Sequence, residues 1–231
     1  MRQLRSSSPS VLLLGPVRGL VGDGAKVRSA LERFSPGWIG VGLGKEEVES
    51  LERYFGAPGA EPLVPLSPSE VGYARGLARF GPVRVPSPAF LAALAYARSH
   101  QVPLEGLDAD EGEYADLFVE HIGYWDLLRR NRAERALARS PPETGVAEGY
   151  ATEWEDRLSS NAGSRRLEEA RSGQWSARVE EARRARGGSL RIALVVDVEK
   201  VDGLSRNLGP LVEETEAGPL PRGPGAPPPG S

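Results

Sequence analysis

The chain has no cysteine, two histidines, one methionine and three lysines (Lys26, Lys45 and Lys200) in 231 residues. Without cysteine there is no disulfide, no thiolate metal ligand and no cysteine nucleophile. His100 and His121 leave little room for an imidazole-rich metal site. With only these two histidines and no Gly-x-Ser-x-Gly elbow, a serine triad is not expected either. No apolar run approaches the roughly 20 residues that a membrane-crossing helix needs. The polar stretch 1–10 followed by Val11–Leu14 is too short in its apolar part for a secretory leader. A net charge of −3 gives no global attraction to nucleic acid or anionic membrane. These absences predict a cytoplasmic protein with no cofactor.

What is present is an α/β pattern. Three short apolar segments read as buried strands: Val11 to Gly15, Trp38 to Gly44 and Leu190 to Val196. In such folds chemistry collects at the carboxyl ends of the strands. Between the first two, Asp23 predicts an N-cap for a helix over 25–34 with Val27, Ala30, Leu31 and Phe34 on one face, giving a βαβ unit. Further helices are predicted over 45–55, 70–80 and, opening at Ser87-Pro88, to about residue 99. A short strand is expected within 102–107, then one long helix from Glu111 to about Arg139. Two more helices follow near 147–158 and 164–186, and a last one near 201–208. From Gly218 to Ser231 ten of fourteen residues are proline or glycine, too few apolar groups to fold. The expected organisation is a flexible 1–10, an α/β domain over 11–208 with a mainly parallel sheet and a helical insertion, and a disordered tail over 209–231.

Several stretches suggest chemistry. Gly19 to Lys26 follows a strand and opens a helix, as phosphate loops do. The nucleotide motif needs Gly-Lys-Ser/Thr in succession, whereas Ala25 separates Gly24 from Lys26 and Val27 replaces the hydroxyl. Glu105, Asp108, Asp110, Glu111, Glu113, Asp116 and Glu120 form an acidic run, which lacks the third ligand of a calcium loop and reads as the charged start of a helix. His121 beside Glu120 reads as a helix residue and His100 as a partner for helix-terminal carbonyls. Arg129, Arg130, Arg132, Arg135 and Arg139 form a basic stretch without interleaved aromatics, which reads as a solvated face rather than an RNA site.

The order Val11-Leu12-Leu13-Leu14-Gly15-Pro16-Val17-Arg18, then Ser35-Pro36-Gly37-Trp38-Ile39-Gly40-Val41-Gly42-Leu43, then Val102 to Asp110, and finally Val195 to Leu204 resembles the TraB/PrgY-like family, related to GumN-like and Tiki-like proteins. Its members carry Gly-Thr-x-His after the first strand, a glutamate in the second, Asp-Arg-Asp after a central strand and Gly-x-Gly-His near the end. The resemblance spans roughly residues 11–208 and puts the first histidine on Arg18, the glutamate on Gly42 and the late histidine on Lys200. The late glycines fall on Asp197 and Glu199; Asp108 matches, while its neighbouring arginine is Ala109. In the Tiki-like relatives these histidines and the acid are associated with metal-dependent hydrolysis. Fixed positive charges at two of those positions repel a cation.

The resemblance therefore implies a catalytically degenerate protein, binding or regulatory, with Arg18, Asp108 and Lys200 as an anion or ligand pocket. Its partner would be a small anionic ligand or a protein, not a membrane or nucleic acid. The competing expectation is a metal-dependent, peptidase-like hydrolase with a rearranged carboxylate site of Asp108, Asp197 and Glu199. A third is nucleotide or RNA binding. The pattern leaves the oligomeric state open.

Overall fold

The computed structural model describes residues 11–57, 67–186 and 190–208, and the backbone of 212–214. The stretch 1–10 and the proline-rich end from 215 onward, with the expectations attached to them, lie outside the described residues. The architecture is α/β. Strands β1 (Val11–Leu14), β2 (Trp38–Val41), β3 (Leu104–Gly106), β4 (Ile192–Val195) and β5 (Val212–Glu214) form a parallel sheet in the order β3-β2-β4-β1-β5. Strand β4, from near the end of the chain, lies between the first two, with Ile192 paired to both Val11 and Trp38.

Because side chains alternate along a strand, each strand feeds two cores. Leu12, Leu14, Ile39, Val41, Ala193 and Val195 meet helices α1 (Val21–Phe34), α2 (Lys45–Gly56) and α4 (Pro88–His100). Val11, Leu13, Trp38, Ile192, Leu194 and Val196 meet α8 (Ala162–Arg186) and α9 (Val201–Leu208) on the opposite face. A third core joins α3 (Pro68–Leu77), α6 (Tyr124–Arg139) and α7 (Ala147–Leu158) around Tyr73, Leu77, Tyr150 and Trp154. It includes Val17 from the β1–α1 loop and is flanked by Val198, so this helical insertion stands over the carboxyl end of the sheet.

The structure differs from the sequence expectations at three places. Helix α1 begins at Val21, and Asp23 lies in its first turn instead of capping it. Its carboxylate accepts the Val17 N–H at 2.7 Å and pairs with Lys26 at 2.8 Å. The expected long helix over 111–139 is two, α5 (Glu111–His121) and α6, with Ile122 extended between them. Helix α8 packs closely against the break: a Cβ on Gly163 would lie 2.7 Å from the His121 carbonyl. Asp126 then caps α6 by accepting the Gly123 N–H at 3.2 Å. Finally, the stretch assigned to the tail from residue 209 contains β5, whose ladder with β1 needs only backbone groups and leaves no apolar signature.

Candidate functional site

The carboxyl ends of β1 and β4 are joined by loop hydrogen bonds. The Val196 N–H donates to Leu14 O at 3.0 Å and the Val198 N–H to Pro16 O at 3.0 Å. These contacts bring Arg18, four residues beyond β1, to the same end of the sheet as Asp197, Glu199 and Lys200, which follow β4 on a short 3-10 turn (Val198–Lys200). Tyr73 from α3, Glu155 from α7, and Glu168 and Arg171 from α8 complete the surroundings.

Two groups of side chains result. In the first, fixed cations satisfy carboxylates. Asp108 accepts from Arg171 Nε at 3.1 Å and from Arg171 Nη2 on its other oxygen, from Trp175 Nε1 at 3.1 Å and from the Ala109 N–H at 2.9 Å. Arg171 also donates to Glu168 at 2.7 Å, and Lys200 Nζ bridges Glu168 at 2.5 Å and Glu155 at 3.3 Å. Burial alone would raise the Asp108 pKa, but the Arg171, Trp175 and Ala109 donors outweigh it and hold the carboxyl below its ordinary range. Glu155 is likewise lowered, since Lys200 and the Ser159 hydroxyl overcome the effect of burial. Lys200 stays an ammonium because Glu155 and Glu168 more than offset its desolvation.

The second group is less complete. The Arg18 guanidinium lies 5.1 Å from the Tyr73 ring centroid, in a residue that is exposed as a whole. Burial pushes Asp197 up to about 6, against the opposing fields of Arg18 and Lys200. Burial and then the neighbouring Asp197 push Glu199 up to about 8. Burial, reinforced by Glu199, also raises the Tyr73 hydroxyl, which stays protonated. Asp197 Oδ1, Glu199 Oε2 and the Tyr73 hydroxyl are sealed from solvent without a hydrogen-bond partner among the described residues. At neutral pH, Arg18, Tyr73 and a protonated Glu199 are all hydrogen-bond donors.

Of the sequence-predicted pocket, Arg18, Asp108 and Lys200 surround the strand ends, each with different partners. Asp108 belongs to Arg171, Lys200 to the two glutamates, and Arg18 to the fields of Asp197 and Glu199. Of the alternative carboxylate trio, Asp197 and Glu199 are neighbours and Asp108 is committed elsewhere. No group of three or more His, Asp or Glu side chains able to hold a metal ion occurs among the described residues. The Gly19–Lys26 turn is filled by its own Asp23, which takes the Val17 amide and Lys26. His100 Nδ1 meets the Tyr96 carbonyl at 3.1 Å, as its helix-end position suggests.

Beside Lys200 opens a cleft of about 850 Å³, lined among others by Glu155, Glu168, Arg171, Trp175 and Glu199. Sequence reasoning missed Tyr73, Glu155, Glu168, Arg171 and Trp175. One signal existed: Glu168, Arg171, Trp175 and Arg178 recur at spacings of 3, 4 and 3, which places them on one face of α8. Arg178 donates to the Asp108 carbonyl, so this face wraps the β3 end. Among the described residues no helix is long and apolar enough to cross a membrane. No family model and no curated protein sequence matches this chain.

Proposed function

We propose that the chain is a divergent TraB/PrgY-like protein that has exchanged a metal-hydrolysis site for an ion-paired one and acts as a cytoplasmic binding or regulatory module. The observation that carries this reading is Lys200, whose ammonium occupies the centre of a carboxylate set, paired with both Glu155 and Glu168. A divalent cation entering there would have to displace a covalently attached positive charge. The ligand that the remaining donors suit is a small oxyanion held by Arg18, with the protonated Glu199, which lines the cleft beside Lys200, as a further donor. Asp197 opposes it once ionised, while the fields of Glu155 and Glu47 favour the neutral form of that carboxyl.

Calorimetric titration with sulfate, whose charge is constant over the range used, tests this. One-to-one binding at pH 6 that weakens at least about tenfold by pH 8.5, as the Asp197 and Glu199 carboxyls ionise, and that is lost in Arg18→Ala, is the expected result. In parallel, chelator-stripped protein is titrated with Zn²⁺, Mn²⁺ and Mg²⁺. Tight one-to-one metal binding abolished by Asp108→Ala would overturn the reading in favour of a rebuilt metallohydrolase.

One observation favours a second reading. A carboxyl pair with separated proton affinities at strand ends is the arrangement that acid–base hydrolysis uses. Peptide hydrolysis with a bell-shaped pH profile, lost in both Asp197→Asn and Glu199→Gln, would support it.

A further inference from the structure

The junction between α5 and α6 carries the largest exposed apolar side chains in one short stretch. Val119 is 79% exposed and Tyr124 and Trp125 are 69% exposed each, within seven residues. The two rings touch edge to face at 5.6 Å, so the aromatic pair is already formed without any covering element. Isolated exposed apolar residues are ordinary, but a contiguous cluster marks a contact surface.

What flanks this cluster is the informative part. Before it, α5 carries Asp116 and Glu120 on one face, both exposed and without an ion pair among the described residues. After it, α6 carries a basic stripe. At 100° per residue, Trp125, Arg129, Arg132 and Arg139 fall on one face. Arg129 is 65% exposed, with Asp126 no nearer than 3.8 Å, and Arg132 and Arg139 have no carboxylate partner among the described residues. Along the chain the surface therefore reads acidic, then aromatic, then basic.

Such a polarity is complementary to itself when reversed. A two-fold axis through the aromatic junction puts the acids of one copy against the arginines of the other and buries Val119, Tyr124 and Trp125 between them. An anionic membrane or a nucleic acid would meet the arginines but also the acids of α5, which repel it. We infer that the α5–α6 junction is the isologous interface of a homodimer, centred on Trp125 and steered by α5 acids and α6 arginines.

Sedimentation and light scattering on the full chain test this across protein and salt concentration. The expected result is a reversible dimer that weakens about tenfold or more between 50 and 500 mM salt, since exposed ion pairs are screened. Trp125→Glu should be monomeric at concentrations where the parent is dimeric. Two charge-reversed variants, Arg132→Glu/Arg129→Glu and Asp116→Lys/Glu120→Lys, should each be monomeric alone and associate when mixed. All these positions are exposed, and an unchanged circular-dichroism melt confirms folding. A parent chain that stays monomeric at high concentration and low salt overturns the inference. So does a dimer indifferent to Trp125→Glu, a mixture that fails to associate, or a monomer that instead binds poly(U) or phosphatidylserine vesicles through this surface.

Discussion

A side-chain carbon on Gly42 would lie 3.1 Å from Cη2 of Trp175, so the indole fills the space beside the position where the family resemblance puts a glutamate. The same indole donates its N–H to Asp108 at 3.1 Å and packs under Val196 and Leu204. Two adjustments are therefore coupled: the small residue at 42 admits the aromatic one at 175. Gly42→Glu is expected to destabilise the fold by about 2–3 kcal/mol in urea unfolding, through overpacking and a buried charge. The double variant with Trp175→Ala should recover part of that loss in a double-mutant cycle. Additive losses would show that the two residues are independent.

Asp108 holds Arg171 and Trp175 in place, and its side chain is only 10% exposed. Removing it leaves a half-buried guanidinium and an indole N–H without their acceptor. Asp108→Ala should cost about 3 kcal/mol in equilibrium unfolding, with Asp108→Asn costing less because it still accepts the indole proton. A loss below about 1 kcal/mol for the alanine variant would mean that Arg171 finds another partner.

The raised carboxyls make a stability prediction of definite sign. Asp197 and Glu199 hold their protons to higher pH in the folded state than in the unfolded one, so their ionisation opposes folding progressively as pH rises from about 4 to 8. Asp108 and Glu155 are lowered, so their stabilisation is lost as pH falls through 4 and below. Glu199→Gln should match the parent near pH 4 and exceed it by about 1–2 kcal/mol at pH 8.5, read from melts across pH. A constant difference at all pH values would contradict the assignment.

Two glycines inside helices should respond in opposite directions. A Cβ on Gly76 in α3 would fall 2.1 Å from the Tyr150 hydroxyl, which donates to the Tyr73 carbonyl at 3.2 Å. Gly76→Ala should destabilise by about 2 kcal/mol or more, because the α3–α7 contact must open. Gly173 in α8 is exposed with nothing within 4 Å, and Gly173→Ala should stabilise by about 0.5–1 kcal/mol through helix propensity alone. Equal effects in the two variants would remove the steric argument.

The strands and most helices were legible because their patterns are local. Val11–Leu14, Trp38–Val41 and Ile192–Val195 are apolar on both faces, and Ala147–Leu158 and Val201–Leu208 carry amphipathic spacing that agrees with their observed bounds. The strand at 212–214 was not legible, because it rests on backbone pairing with β1, whereas the break at Ile122 carries a local mark in Gly123 and the Asp126 that caps it. The candidate site was half visible. Arg18, Asp108, Asp197, Glu199 and Lys200 all fall at strand ends, which the strand pattern predicts. Their partners Tyr73, Glu155, Glu168 and Arg171 come from helices whose docking no local pattern encodes. Hence the three pocket residues looked free to act together when Asp108 and Lys200 were already engaged.

The position of β4 between β1 and β2 also sets the order of assembly. Among the described residues Val11 and Trp38 are bridged by Ile192, some 150 residues later, so the first two strands do not pair with each other while the chain is being made. The ribosome must release the residues through β4 before the sheet can close, and such long-range closure folds slowly. Because Asp197, Glu199 and Lys200 follow β4 directly, the closing of the sheet and the completion of the site are one event. A nascent chain that stops short of β4 therefore lacks both the closed sheet and the Asp197, Glu199 and Lys200 groups.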